Sequence, residues 1–122
     1  MRYVNMVLAL LMLVFAAVQL NDPDAFVWIP IYLVPGVLAA IAAFRLPVLA
    51  KSVTLLGGLA VLSLAGVVYY WPTTPGFWQQ AVWWETETAR EGMGMMIVAI
   101  VMLVVFYTVW SARGRDSVAD QA

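Results

Sequence analysis

The chain has 122 residues, of which 65% are hydrophobic and only 11% are charged, and its formal net charge is −1. Average soluble domains carry about 25% charged residues, so lipid and not a protein core must cover most of this apolar surface. The chain contains no cysteine and no histidine, so we expect no disulfide, haem, zinc or iron–sulfur site. The net charge gives no reason to expect nucleic acid as a partner.

Four apolar runs predict four transmembrane helices, at about residues 3–20, 26–44, 53–70 and 92–110. Each run has about 18 or 19 residues without internal charge, which at 1.5 Å per residue crosses most of a bilayer core of about 30 Å. Helices satisfy their own backbone polar groups inside lipid. We therefore predict an all-α fold, a four-helix transmembrane bundle that forms a single domain over residues 1–110. A flexible cytoplasmic tail is expected at 111–122.

The first run also resembles a signal peptide, because Arg2 precedes its apolar core. Its core is long, and the segment Phe15–Gln19 lacks a small-x-small cleavage pattern, so we interpret it as a retained first helix. Asn5 and Gln19 lie near its two ends and fall within about 40° of each other on a helix. That face is predicted to point inward.

The distribution of basic residues predicts the orientation. Five of the six basic residues fall on one side of the predicted membrane: Arg2, Arg45, Lys51, Arg113 and Arg115. Positive charge favours the cytoplasmic side, so both termini are predicted to be cytoplasmic. The turn at 21–24 and the loop at 71–91 then share the outer face. In a bacterium this multi-pass integral membrane protein is expected in the plasma (inner) membrane.

The first polar motif, Asn21-Asp22-Pro23-Asp24, separates two apolar runs. As a tight helix–helix turn, it places Asp22 as a cap, Pro23 at the first helical position and Asp24 in the first turn. This reading leaves a second carboxylate beside the membrane unexplained. Trp28 and Tyr32 share a helix face with Asp24, where they either line an outer pocket or serve as interfacial aromatics.

Predicted helix three is rich in small residues, which let membrane helices approach closely. We therefore expect it to pack centrally, with Gly58, Ala65 and Gly66 near the seam and Leu56 toward lipid. The loop that follows contains five large aromatic residues typical of a membrane boundary, and they predict a short interfacial helix before helix four. These residues are Trp71, Phe77, Trp78, Trp83 and Trp84.

The second polar motif opens predicted helix four. Glu87, Arg90 and Glu91 are spaced so that they share one helix face, and Gly94 falls on the same side, which leaves room for a close neighbour. Arg90 is the one basic residue predicted at the outer face. We expect it to pair across the bundle with one of the aspartates of the first motif.

At these residues the chain resembles the transmembrane protein 220 family. The similarity lies in Val18-Gln19-Leu20-Asn21-Asp22-Pro23-Asp24 with Trp28 and Tyr32, and in Glu87-x-x-Arg90-Glu91-x-x-Gly94. It spans helices one and two and the start of helix four. The resemblance implies a small multi-span membrane protein with paired motifs, and it implies no particular activity.

The two motifs define a candidate outer-face binding site made of Asn21, Asp22, Asp24, Trp28, Tyr32, Glu87, Arg90 and Glu91. The first hypothesis is a binding or accessory protein, and not an enzyme, that presents this site to a lipid headgroup, a small molecule or a partner membrane protein. The second is a carboxylate site for Mg²⁺, Ca²⁺ or Mn²⁺ that acts on a lipid-linked or small substrate. Its candidate ligands are Asp22, Asp24, Glu87 and Glu91. The third is a subunit of an oligomeric transporter, although the spans contain no internal charge.

Overall fold

The computed structural model describes the chain except residues 22–23, 72, 74, 77, 86 and 122, and it describes only the backbone of 83–85, 87–88 and 115–121. Within these residues the secondary structure is helical, without strands. The helices are α1 (Arg2–Val18), α2 (Ala25–Phe44), α3 (Val53–Tyr69), α4 (Gln80–Glu85) and α5 (Glu87–Gln121). Short 3₁₀ turns at Gln19–Asn21 and Leu46–Leu49 flank α2. The all-α prediction is confirmed.

The four long helices run alternately up and down. Gly36 of α2 faces Met12 of α1, and Gly66 of α3 faces Met95 of α5. Gly66 lies near the end of α3 and Met95 near the start of α5, whereas Gly57 near the start of α3 faces Phe106 further along α5, so these two helices are antiparallel. The short connection between α1 and α2 gives that pair the same arrangement. We call the end where α2 and α5 begin the motif end, and the end where α1 begins the terminal end.

The central helix is α5, and not α3 as the small residues predicted. It packs against α1, α2 and α3, and 56% of its apolar segment is buried, against 22% for α1 and 33% for α2. In α3, Gly66 does lie at a seam, but Gly58 and Ala65 are exposed and Leu56 is fully buried. The prediction failed because residue size does not reveal which face of a uniformly apolar helix meets protein and which meets lipid.

Three helical segments in the described residues are long and apolar enough to cross a membrane: Arg2–Asn21, Ala25–Phe44 and Ala89–Gly114. The apolar helix α3 has 17 residues, or about 26 Å of rise, near the lower limit for a span. Many large apolar side chains on the outside of the bundle are exposed, as lipid contact requires. The helical membrane character is thus shown, and the count of four spans and the cytoplasmic termini stay predictions.

Two features lie beyond the predicted boundaries. The helical backbone of α5 begins at Glu87 and not at residue 92, and it continues to Gln121 and not to residue 110. The flexibility expected of residues 111–122 stays a prediction. The short helix expected after α3 corresponds to α4, although Phe77 and the side chains of Trp83 and Trp84 lie outside the described part, so its interfacial position is likewise still a prediction.

Candidate functional site

An aromatic layer closes the bundle core just below the motif end. We define this layer as Phe15, Trp28, Tyr32 and Tyr70, which come from α1, α2 and the end of α3. Trp28 lies 5.2 Å from Tyr70 and 5.9 Å from Tyr32 between ring centroids, and Phe15 meets Tyr32 edge-on at 5.7 Å. Edge-on and tilted ring pairs at these separations are favourable beyond the area that they bury. The layer therefore ties the first helical hairpin to the end of α3.

Within this layer, Tyr32 reaches across the bundle to α5. Its hydroxyl oxygen and ring edge occupy the space that a side chain at position 94 would fill, so a β-carbon on Gly94 would overlap the Tyr32 hydroxyl. Tyr32 is 5% exposed and Trp28 is 3% exposed, so neither ring faces lipid or solvent. The close neighbour expected at Gly94 is thus Tyr32, and this contact joins the two polar motifs.

The polar residues of both motifs lie above this contact. Arg90 is four residues before Gly94, which places its backbone about 6 Å nearer the motif end. Side chains on a helix lean toward its N-terminus, and α2 begins at the motif end. The Tyr32 side chain therefore meets Gly94 nearer to Asp24 than the Tyr32 backbone lies. Asn21, Asp24 and Arg90 are exposed, and Glu91 is half-buried. They form a charged rim over an aromatic floor, and we call these four residues the rim.

The cap of α2 lies two residues later than the predicted cap, Asp22. Asp24 is the N-cap residue, and its backbone carbonyl accepts the amides of Val27 at 2.9 Å and Trp28 at 3.1 Å. The sequence placed Asp24 inside the first turn, because proline favours the first helical position and Asp24 directly follows Pro23. As the cap, the Asp24 carboxylate still lies at the positive end of the α2 dipole.

Two of the four predicted metal ligands, Asp22 and the Glu87 side chain, lie outside the described part of the chain. Among the described residues, Asp24 and Glu91 do not belong to any group of three or more carboxylate, histidine or cysteine side chains. The metal site and the pairing of Arg90 with an aspartate both stay predictions.

Sequence reasoning missed Phe15, Tyr70 and Thr108. Phe15 and Tyr70 complete the aromatic layer, but each stands in an apolar run where nothing marks its partner. Thr108 lies in α5 and accepts a hydrogen bond from the Asn5 amide at 3.0 Å. The inward position of Asn5 was predicted, and the spacing of the buried residues of α1, at 5, 9, 12 and 16, is the signal of that face.

Comparison with known proteins identifies the family of the chain. A family model described as transmembrane family 220, helix, matches residues 11–107, which includes both polar motifs and all of α2 and α3. No curated protein and no solved structure matches the chain.

Proposed function

The chain belongs to transmembrane family 220, and from this premise we propose that it is a membrane-embedded binding protein whose rim takes a lipid headgroup at the outer membrane face. The observation that carries the proposal is the contact of Tyr32 with Gly94, because it brings both motifs to one place. Asp22 and Glu87 complete the proposed site. The protein then acts by binding and catalyses no reaction.

The architecture beneath the rim supports this role. A binding site needs its contact residues to be held by packed neighbours that do not move. Trp28 and Tyr32 are buried directly below Asp24 on α2, and Gly94 lies one turn below Arg90 on α5. Polar groups over a rigid apolar floor at the end of a transmembrane bundle meet the zone where lipid headgroups lie.

The structure offers less support for transport. Three buried polar side chains are described in the helices, and each has a hydrogen bond inside the protein: Asn5, Ser63 and Thr108. Polar residues on an ion path usually line a cavity or pair along it. The carboxylate metal site stays as the alternative that the following test separates from headgroup binding.

The test is ligand-induced thermal stabilisation of the purified protein in detergent micelles. The probes are MgCl₂, CaCl₂, MnCl₂, glycerophosphoethanolamine and glycerophosphoglycerol, each titrated against the wild type, Asp24→Asn and Arg90→Gln. A ligand that binds only the folded state at 100 times its Kd stabilises that state by about 2.7 kcal/mol. Arg113→Gln is the matched control, because Arg113 is an exposed arginine far along α5 from the rim.

We expect a glycerophospho probe to raise the Tm of the wild type and of Arg113→Gln, and to raise it less in both rim variants. Stabilisation by a divalent cation alone, lost in Asp24→Asn, would replace the proposal with the metal site. The absence of any probe effect on the wild type would overturn headgroup binding.

A further inference from the structure

A lateral groove opens between α2 and α3, with α5 as its floor. Its volume is about 650 Å³, within the range of ligand-binding cavities. Among the described residues, α2 and α3 each pack on α5 and hardly on each other, which leaves the groove between them, and Pro30 and Pro35 lie on its α2 wall. Proline inside a helix removes a backbone donor and favours a bend, which fits an opening on this side of α2.

The groove is apolar along its length and polar only near the motif end. On α5 its floor is formed by Met95, Val98 and Met102, and Tyr69 and Tyr70 lie at its upper end. Ser63 also lines the groove, but its hydroxyl already donates to the Leu59 carbonyl at 2.8 Å. An occupant therefore meets hydrocarbon along most of its length, which favours an acyl chain over a polar solute.

The groove fits within one membrane leaflet. From Met95 to Met102 the α5 backbone rises about 10 Å, and half of a bilayer core is about 15 Å. A groove of this length, open sideways and beginning at the motif end, accommodates a chain that enters from the leaflet on that side. It is too short to lead a solute across the membrane.

The charge above the groove indicates the headgroup. Glu91 lies one turn before Met95 on the same face of α5, so the row formed by Glu91, Met95, Val98 and Met102 begins with a carboxylate. The two polar segments at this end of the chain contain five acidic residues and one arginine: Asp22, Asp24, Glu85, Glu87, Glu91 and Arg90. This balance attracts a cationic group and repels an anionic headgroup.

We propose that the groove holds one acyl chain of a membrane lipid whose headgroup carries a primary ammonium, with the ammonium at Glu91. This inference rests on the proposed headgroup-binding function and adds the class of lipid and the place of its chain. Tyr69 and Tyr70 lie where the chain meets its headgroup, and the rim surrounds the headgroup. The groove of α2, α3 and α5 selects for a chain, and Glu91 selects for the amine.

The chain-binding part is tested with two adjacent α3 residues. Leu62 and Val61 are both 66% exposed, but only Leu62 lines the groove. Leu62→Trp fills the groove, and Val61→Trp adds the same bulk to the neighbouring lipid-facing position. Each protein is placed in nanodiscs of equimolar phosphatidylethanolamine and phosphatidylglycerol, released into detergent, and analysed by native mass spectrometry for retained lipid.

We expect the wild type and Val61→Trp to retain phosphatidylethanolamine at least fivefold over phosphatidylglycerol, and Leu62→Trp to lose at least four-fifths of the retained lipid. Ala65→Trp fills the groove from a second exposed position. If Leu62→Trp does not fold, the lipid retained by Ala65→Trp is measured in its place. Equal retention by both groove variants and Val61→Trp would overturn the groove as the chain site.

The headgroup part is tested with Glu91→Gln, which keeps the shape of the side chain and removes its charge. We expect this variant to retain lipid but to lose the preference for phosphatidylethanolamine. An unchanged preference, or equal retention of both lipids by the wild type, would overturn the role of the amine.

The failure of this inference is distinguishable from the failure of the proposed function. Glycerophosphoethanolamine has no acyl chain, so its effect on Tm measures headgroup binding at the rim and does not depend on the groove. If this probe stabilises the wild type but the groove variants retain as much lipid as the wild type, the groove proposal is wrong and the headgroup-binding function stands. If it has no effect while retention follows Leu62→Trp, the rim proposal is wrong and the groove binds chains by itself.

Discussion

The two ends of α5 are attached to the first helical hairpin in different ways. At the motif end the helices are held by close packing: Tyr32 packs against Gly94, and aromatic rings surround Tyr32. At the terminal end the attachment is a buried hydrogen bond, in which the Asn5 amide donates to the Thr108 hydroxyl at 3.0 Å. Asn5 is 0% exposed and Thr108 is 4% exposed. These contacts are apolar at the motif end, whereas those at the terminal end include a buried pair of polar side chains.

This difference fits the proposed binding site at the motif end. The Asn5 amide also donates to the Met1 carbonyl, and the Thr108 hydroxyl donates to the Val104 carbonyl, so the polar groups at the terminal end serve the fold. At the motif end the fold is held by rings, and the polar residues Asp24 and Arg90 lie exposed above them. Asp24 and Arg90 therefore lie where a ligand at the membrane surface can reach them.

The largest expected loss of stability comes from removing one ring of the aromatic layer. Trp28→Ala removes a buried ring that contacts two others, and such truncations cost about 3–5 kcal/mol. We expect the lower end of that range, because lipid solvates an apolar side chain in the unfolded state more favourably than water does. Trp110→Ala is the control, since Trp110 is 58% exposed. The measurement is the free energy of unfolding in micelles, and equal losses would show that the layer is not a structural core.

A second substitution tests the close contact between α3 and α5 at Gly66. A β-carbon at Gly66 overlaps the end of the Met95 side chain, whereas Gly58 has no neighbour within 4 Å among the described residues. The methyl end of Met95 is flexible, so Gly66→Leu should lower the free energy of unfolding by about 1 kcal/mol, the lower end of the overpacking range, and Gly58→Leu should not. The reverse order would restore α3 to the central position that its composition predicted.

The hydrogen bond at the terminal end is expected to matter less. Thr108→Val keeps the shape and removes the acceptor, and interhelical hydrogen bonds in membranes average about 0.6 kcal/mol. The Asn5 side-chain oxygen is buried without a partner in the described part of the chain, so this polar contact is incompletely satisfied and its net value stays small. Thr54→Val, at an exposed position of α3, is the control. A loss as large as that of Trp28→Ala would erase the contrast between the ends.

The smallest effect is expected from the rim. We predict that Arg90 pairs with Asp24 or Asp22, so Arg90→Ala should destabilise the protein more than Arg113→Ala. Because Arg90 and Asp24 are exposed, the difference should be about 0.2–1 kcal/mol. The exchanged pair Asp24→Arg with Arg90→Asp should recover part of it if Asp24 is the partner. If the exchanged pair recovers no stability, and Arg90→Ala and Arg113→Ala are equally stable, the rim contains no stabilising pair. Its charges would then serve binding alone.

Much of the architecture could be predicted from the sequence because length and hydrophobicity report membrane helices directly. The start of α2 and of α3 lies within one residue of the predicted boundaries. Gly94 could be read as a place for a close neighbour because helical spacing puts it on the face of Arg90. Helix boundaries and the face on which a residue lies depend on nearby residues, so the sequence predicts them.

What could not be predicted depends on contacts between distant segments. The apolar faces of α3 look alike in sequence, so nothing identified Leu56 as buried and Gly58 as exposed. Phe15 and Tyr70 were missed for the same reason, since ring pairing needs the helices to be placed first. The groove also follows from the relative positions of α2, α3 and α5, and the prolines alone do not define it.

The most direct test of one joined site is a double-mutant cycle at the contact between the two motifs. A β-carbon at position 94 would overlap the Tyr32 hydroxyl, but it would lie 3.2 Å from the ring carbon that bears it. Gly94→Ala should therefore lower the free energy of unfolding by about 1–3 kcal/mol. In a Tyr32→Phe background, which lacks the hydroxyl, the same substitution should cost less than half as much, giving a clear coupling energy. Gly94→Ala with the same cost in both backgrounds, or with no cost in either, would contradict the joining of the two motifs through Tyr32.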